Sequence, residues 1–112
     1  MKVIIIMGSS SDEDHAKKIT DHLDNFNIPW SQHVASAHKQ PLKVLEILNN
    51  NKNEKRIVYI TIAGRSNALS GFVAANSEHP TLGCPPFADK ADMLVNINST
   101  LQMPSNVPVM TI

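Results

Sequence analysis

The chain opens on an unbroken apolar run, "VIIIM" at residues 3–7, which stops at Gly8 and gives way after Asp12 to a pattern of longer period. A β-branched run that is apolar at every position is how a strand buried on both faces reads. Beyond it, Ala16, Ile19, Leu23 and Phe26 recur at helical spacing while Lys17, Lys18, Asp21 and Asp24 fill the other face, until Asn27, Ile28 and Pro29 break the pattern. "WSQHVAS" alternates as a second strand ending at Ser36. Pro41 suits the first turn of a second helix, where its missing N–H costs nothing; Leu42, Leu45 and Leu48 continue it, and the polar run "NNNKNEK" ends it as a solvated loop.

"RIVYITIA", residues 56–63, is the strongest strand signal. "GRSNALSGFVAAN" then turns through small residues into a third helix carrying Leu69, Phe72 and Val73. "TLGC" gives a short fourth strand closed by Pro85 and Pro86, "ADMLVNINSTLQM" a fourth helix with Met93, Ile97 and Leu101 facing the core, and "VPVMTI" a last strand. This β-α alternation predicts an α/β domain over residues 1–112, with one parallel sheet and helices on both faces, because parallel strands need crossovers and those are right-handed. Every strand-to-helix loop then emerges at one edge of the sheet, the edge where open α/β folds bind ligands.

Composition narrows the function. Hydrophobic residues make up 42% and charged residues 18% of 112 residues, enough for one globular core. Ten Lys and Arg cancel ten Asp and Glu, which argues against nucleic acid or an acidic membrane as partner, since both need concentrated positive charge. A single cysteine, Cys84, permits no internal disulfide and suggests neither secretion nor a cysteine-rich zinc site. "KVIIIM" is too short for a signal segment and nothing approaches a membrane span, so a cytoplasmic protein is the expectation.

Three loops should meet at the ligand edge: "GSSSD" at 8–12, "SAHKQP" at 36–41 and "GRSNALSG" at 64–71. Each offers hydroxyls and backbone N–H groups near a helix start, a setting that stabilises a phosphate without a metal. In the first, Ser10 with Glu13, or Ser11 with Asp14, has capping-box spacing, and Asp12 either caps the helix or accepts hydrogen bonds from ligand hydroxyls such as those of a ribose. The loop has neither the Gly-Lys-Ser/Thr ending of a Walker loop nor three fingerprint glycines. In the second, a lone His is more often structural or exposed than catalytic, but His38 stands beside Lys39 and faces two helix starts, a setting that favours a neutral imidazole able to move protons. Lys39 either neutralises a phosphate or is a solvated charge. In the third, Gly64 and Gly71 permit close approach, Ser66 and Asn67 offer polar contacts, and Arg65 should face an anion or a carboxylate. His15, His22, His33 and His79 have no metal-ligand spacing and read as surface or packing residues.

Taken in order, "MGSSSD", "SAHK", "AGRSNALSG", "CPP" and "LQMPSNVPV" resemble the carboxylases of aminoimidazole ribonucleotide (AIR) of purine biosynthesis, over essentially the whole chain. The resemblance implies a flavodoxin-like core, α/β/α in three layers, and assembly into homotetramers or homo-octamers. It implies that Ser9, Ser11 and Asp12 bind the ribonucleotide, with Ser36 and Lys39 fixing its phosphate end, and Gly64, Arg65 and Ser66 completing the pocket. His38 is then the proton carrier, CO2 the second substrate, and neither ATP, metal nor biotin a cofactor. One branch of the family is a mutase that typically carries Ser-Ala-His-Arg and a later His-Leu-Pro-Gly segment. Lys39, Arg65, Ser66 and Asn67 make this chain similar to the other branch, which carboxylates AIR directly. The family continues past the strand matching "VPVMTI" into further helix, whereas the sequence stops at Ile112, so a bare sheet face is expected to be a large apolar patch. A second reading is therefore a shortened module that binds nucleotide or partner subunits with little or no turnover; a third is the mutase.

Overall fold

Strand β1 (Lys2–Met7) is buried at every position after Lys2, and it forms the centre of the molecule. The computed structural model describes residues 1–112. Around β1 are α1 (Glu13–Asn25), β2 (Trp30–Val34), α2 (Pro41–Asn51), β3 (Ile57–Ile62), α3 (Leu69–Ala75), β4 (Thr81–Gly83), α4 (Lys90–Leu101) and β5 (Met110–Thr111). The five strands pair in parallel in the order β2-β1-β3-β4-β5, with Ile4 opposite Ser31 on one side and Tyr59 on the other. That is the flavodoxin-like order, and the expected three-layer α/β/α architecture is the one found.

Alternate residues of β1 feed two cores. Ile4 and Ile6 join Val44, Leu48, Leu69 and Val73 beneath α2 and α3, while Val3, Ile5 and Met7 meet Ala16, Ile19 and Leu23 of α1 on the other face. Helix α1 ends in a Schellman turn: Ile28 N–H donates to Leu23 O at 2.9 Å and Asn27 N–H to Asp24 O at 3.0 Å. Asn27 holds the left-handed conformation at φ 55°, which a short polar side chain tolerates.

Three helical faces differ from the sequence expectation. Phe26 is 73% exposed because it caps α1 at the point where the chain turns away from the core. In α2 the buried positions are Val44, Ile47 and Leu48, a three-and-four spacing, so Leu42 points outward; the helix also continues through the asparagines to Asn51. In α4 the fully buried residues are Asn96 and Thr100; Met93 and Ile97 of the expected stripe are half-buried and Leu101 is exposed.

Candidate functional site

In the first loop Ser9 is extended (φ −149°, ψ 150°), and its Oγ accepts from Ser11 N–H at 3.2 Å, capping a 3₁₀ turn over Ser10–Asp12. Ser9 Oγ also shares a 2.9 Å hydrogen bond with Ser11 Oγ. The cap is thus Ser9 rather than Ser10 or Ser11, because a 3₁₀ turn precedes the α-helix and moves the first unpaired N–H groups upstream. Asp12 stands at the start of α1 but its carboxylate makes no capping bond. Burial pushes its pKa up, partly opposed by a hydrogen bond from the Ser9 backbone.

The second loop is a closed turn. Lys39 N–H donates to Ser36 Oγ at 3.2 Å and Gln40 N–H to Ser36 O at 2.7 Å, which sends the exposed side chains of His38 and Lys39 to the mouth of the site. Ser36 is held from both sides while its neighbours remain reachable.

The third loop is anchored from beneath. The Asn67 amide donates to Ser70 Oγ (2.8 Å) and Thr100 Oγ1 (2.9 Å) and accepts from Ser70 N–H (3.1 Å), while Asn67 N–H donates to Ser99 Oγ (2.8 Å). Thr61 Oγ1 and Ser70 Oγ are 2.7 Å apart and extend the network to β3. Asn67 is therefore a buried strut rather than a ligand contact, because its amide is consumed inside the fold. Arg65 Nη1 lies 2.9 Å from Asp92 Oδ1 and 3.3 Å from Asn96 Oδ1, so the residue faces a carboxylate of its own chain.

The three loops border one cleft of about 660 Å³, and Ser9, Ser11, Asp12, Ser36, His38, Lys39, Gly64, Arg65 and Ser66 all line it. A fourth strand-to-helix loop, between β4 and α4, closes the remaining side with Pro86, Phe87 and Ala88. The topological argument that gathers three loops applies equally to this one, and "CPPF" was the signal for it. His15 also lines the cleft, three residues beyond Asp12 and hence on the same helical face. Its ring meets Phe87 edge-on at 5.8 Å, and its Nε2 lies 3.6 Å from Cys84 Sγ. Burial, then the nearby Lys18, push the His15 pKa down from its ordinary value and so favour the neutral imidazole. His15 is thus the packing residue expected from the sequence, placed in addition on the cleft wall. The Cys84 thiol is pushed up by burial. No group of three or more His, Cys, Asp or Glu converges as a metal site, and no helix is long and apolar enough to cross a membrane.

Residues 2–112 match the family model for AIR carboxylase. The chain is 49% identical over 112 residues to a phosphoribosylaminoimidazole carboxylase of Archaeoglobus fulgidus, covering 100% of this chain and 61% of that relative. A phosphoribosylaminoimidazole carboxylase of Treponema denticola is 45% identical over 106 residues, covering 94% and 66%. An N5-carboxyaminoimidazole ribonucleotide mutase of Methanocaldococcus jannaschii is 41% identical over 110 residues, covering 98% and 68%. The crystal structure of Treponema denticola PurE superposes with a TM-score of 0.90 at 43% identity, over 99% of this chain and 70% of that one. The chain thus spans less than two thirds of the length of the first two relatives.

Proposed function

The chain belongs to the AIR carboxylase family, and on that premise we propose that it carboxylates AIR with CO2 to 4-carboxy-5-aminoimidazole ribonucleotide in de novo purine biosynthesis. The observation that carries this reading is the convergence of "GSSSD", "SAHK" and "GRS" on one cleft, these loops bringing a carboxylate that makes no cap bond to α1, exposed hydroxyls and the cations Lys39 and Arg65. Ser9 and Ser11 beside the α1 start, with Ser36 and Lys39 opposite, hold the ribonucleotide and its phosphate. Asp12 accepts hydrogen bonds from the ribose hydroxyls.

The chemistry follows from the substrate. The amino group of AIR pushes electron density to the adjacent ring carbon, which forms a C–C bond to CO2 while one C=O pair moves onto oxygen. The new carboxylate is stabilised by Lys39, Arg65 or backbone N–H groups. His38 takes the proton from the same ring carbon and restores aromaticity; a positioned base typically contributes about 10²–10⁴-fold. The scheme draws on neither ATP, metal nor biotin.

Lys39, Arg65 and Ser66 favour direct carboxylation, while the likeness to the Methanocaldococcus jannaschii mutase favours carboxyl migration. Offering AIR with bicarbonate and, separately, the N-carboxyamino isomer distinguishes them: the first mixture should form product at the higher rate. Product from the isomer alone overturns the branch assignment, and AIR binding without product from either leaves a binding module. Self-association into a homotetramer or homo-octamer belongs to the same reading, supported by exposed Leu94, Val95, Leu101 and Met110, and so does a cytoplasmic location.

A further inference from the structure

Asp92 and Asn96 stand one turn apart on α4, and each holds the same two loops. Asp92 Oδ1 accepts from Arg65 Nη1 and its Oδ2 from Ala88 N–H, both at 2.9 Å. Asn96 repeats the pattern: its Oδ1 accepts from Arg65 Nη1 at 3.3 Å and its Nδ2 donates to Pro86 O at 2.6 Å. Asn96 is only 4% exposed, and Gly64 lies so near that a Cβ there would stand 3.5 Å from Asn96 Oδ1. Asp92 lies in the first turn of α4, behind the Asp89 cap, where a carboxylate suits the helix start in any case, but Asn96 is buried in the helix interior, where Asn is a poor choice on propensity alone. What they have in common is the span from residues 64–66 to residues 86–88, the two segments that form one wall of the cleft.

We propose that Asp92 and Asn96 are positioning residues, a two-rung clamp that fixes the Arg65 loop against the Pro86–Ala88 loop and thereby sets the cleft width and the location of the Arg65 guanidinium. The role in turnover rests on the reading of this cleft as the AIR site. The rungs act differently. Asp92 supplies the counter-charge of a half-exposed Arg65, whereas Asn96 is neutral and holds a loop carbonyl. Asp92→Asn removes the charge but keeps an acceptor for Ala88 N–H. Asp92→Ala removes both, and Asn96→Ala frees the Pro86 carbonyl and one Arg65 bond.

The test pairs a measurement that needs no ligand with one that does. Amide exchange at Ala88, followed by NMR, should accelerate about tenfold in Asp92→Ala and Asn96→Ala and stay near wild type in Asp92→Asn, as loss or retention of one hydrogen bond dictates. With AIR and bicarbonate, Asn96→Ala should lose about tenfold or more in kcat/KM through misplacement of the wall. Asp92→Asn should change kcat/KM with loop exchange unaltered, a split that general destabilisation does not produce. Unchanged Ala88 exchange in folded Asp92→Ala and Asn96→Ala overturns the clamp. Faster exchange with unaltered kinetics overturns its role in the reaction. If wild-type protein neither binds nor converts AIR, the functional reading fails while the exchange measurements still decide the clamp.

Discussion

Asp12 is a half-buried carboxylate at the start of α1 that makes no side-chain cap bond to that helix, and burial raises its pKa against the opposing hydrogen bond from the Ser9 backbone. A carboxylate accepting ribose hydroxyls binds through charge-assisted hydrogen bonds of about 1.5–3 kcal/mol, so Asp12→Asn should weaken AIR binding roughly 10- to 100-fold in a calorimetric titration. Only the ionised form accepts both hydroxyls, so wild-type affinity should rise with pH through the folded pKa, which lies above 3.8, and Asp12→Asn should lose that dependence. The stability term has the opposite sign. The folded state holds this proton more tightly than the unfolded one, so its contribution is present below 3.8 and is lost as pH rises through the folded value. An affinity that ignores pH in this range, or an unaffected Asp12→Asn, contradicts the ribose assignment. At this scale the sequence located the loops but not the capping residue, because one 3₁₀ turn shifts the cap from Ser10 or Ser11 to Ser9. His15 read only as a surface or packing residue because its i, i+3 relation to Asp12 becomes visible as a place on the cleft wall only once Phe87 and Cys84 stand beside it.

Helix α4 shows where periodicity misleads at the scale of an element. Of the stripe that Met93, Ile97 and Leu101 suggested, Leu101 is exposed and the other two are only half-buried, while the fully buried residues are Asn96 and Thr100, which serve Arg65 and Asn67 rather than an apolar core. Apolar spacing reports burial in oil; it is blind to a helix recruited to satisfy loop amides. β1 and β3 were legible because apolar, largely β-branched runs leave little alternative, β2 because its residues alternate, and the strand-helix order fixed the common edge of their loops. Close approach is the remaining constraint. A Cβ on Gly83 would meet Thr100 Cγ2 at 2.8 Å, and Thr100 is a stiff β-branched residue tied to Asn67. Gly83→Ala should therefore destabilise the fold by about 1–3 kcal/mol, read as a lower urea midpoint with unchanged slope. A midpoint equal to wild type would mean that α4 yields at this contact.

For the whole molecule, the order β2-β1-β3-β4-β5 brings residues from four separate stretches of sequence to one cleft. The same architecture places α2, α3 and α4 over one face of the sheet and α1 over the other, with Met110 and Ile112 exposed near its β5 edge. Leu94, Val95 and Leu101 of α4 are exposed as well, and exposed apolar residues of this kind are what the proposed self-association would cover. Sedimentation velocity at micromolar concentration should give a mass well above 12.3 kDa, and a sharp monomer boundary would contradict assembly through these faces. The central claim is that this cleft carboxylates AIR with His38 moving the ring proton. Its most direct measurement is the initial rate of carboxylated product from AIR and bicarbonate, for wild type and His38→Asn, beside the AIR affinity of each. Wild-type turnover that falls at least about 10²-fold in His38→Asn, at AIR affinity within a few-fold of wild type, is the predicted result; equal rates in the two proteins, or no turnover by a folded, AIR-binding wild type, would contradict it.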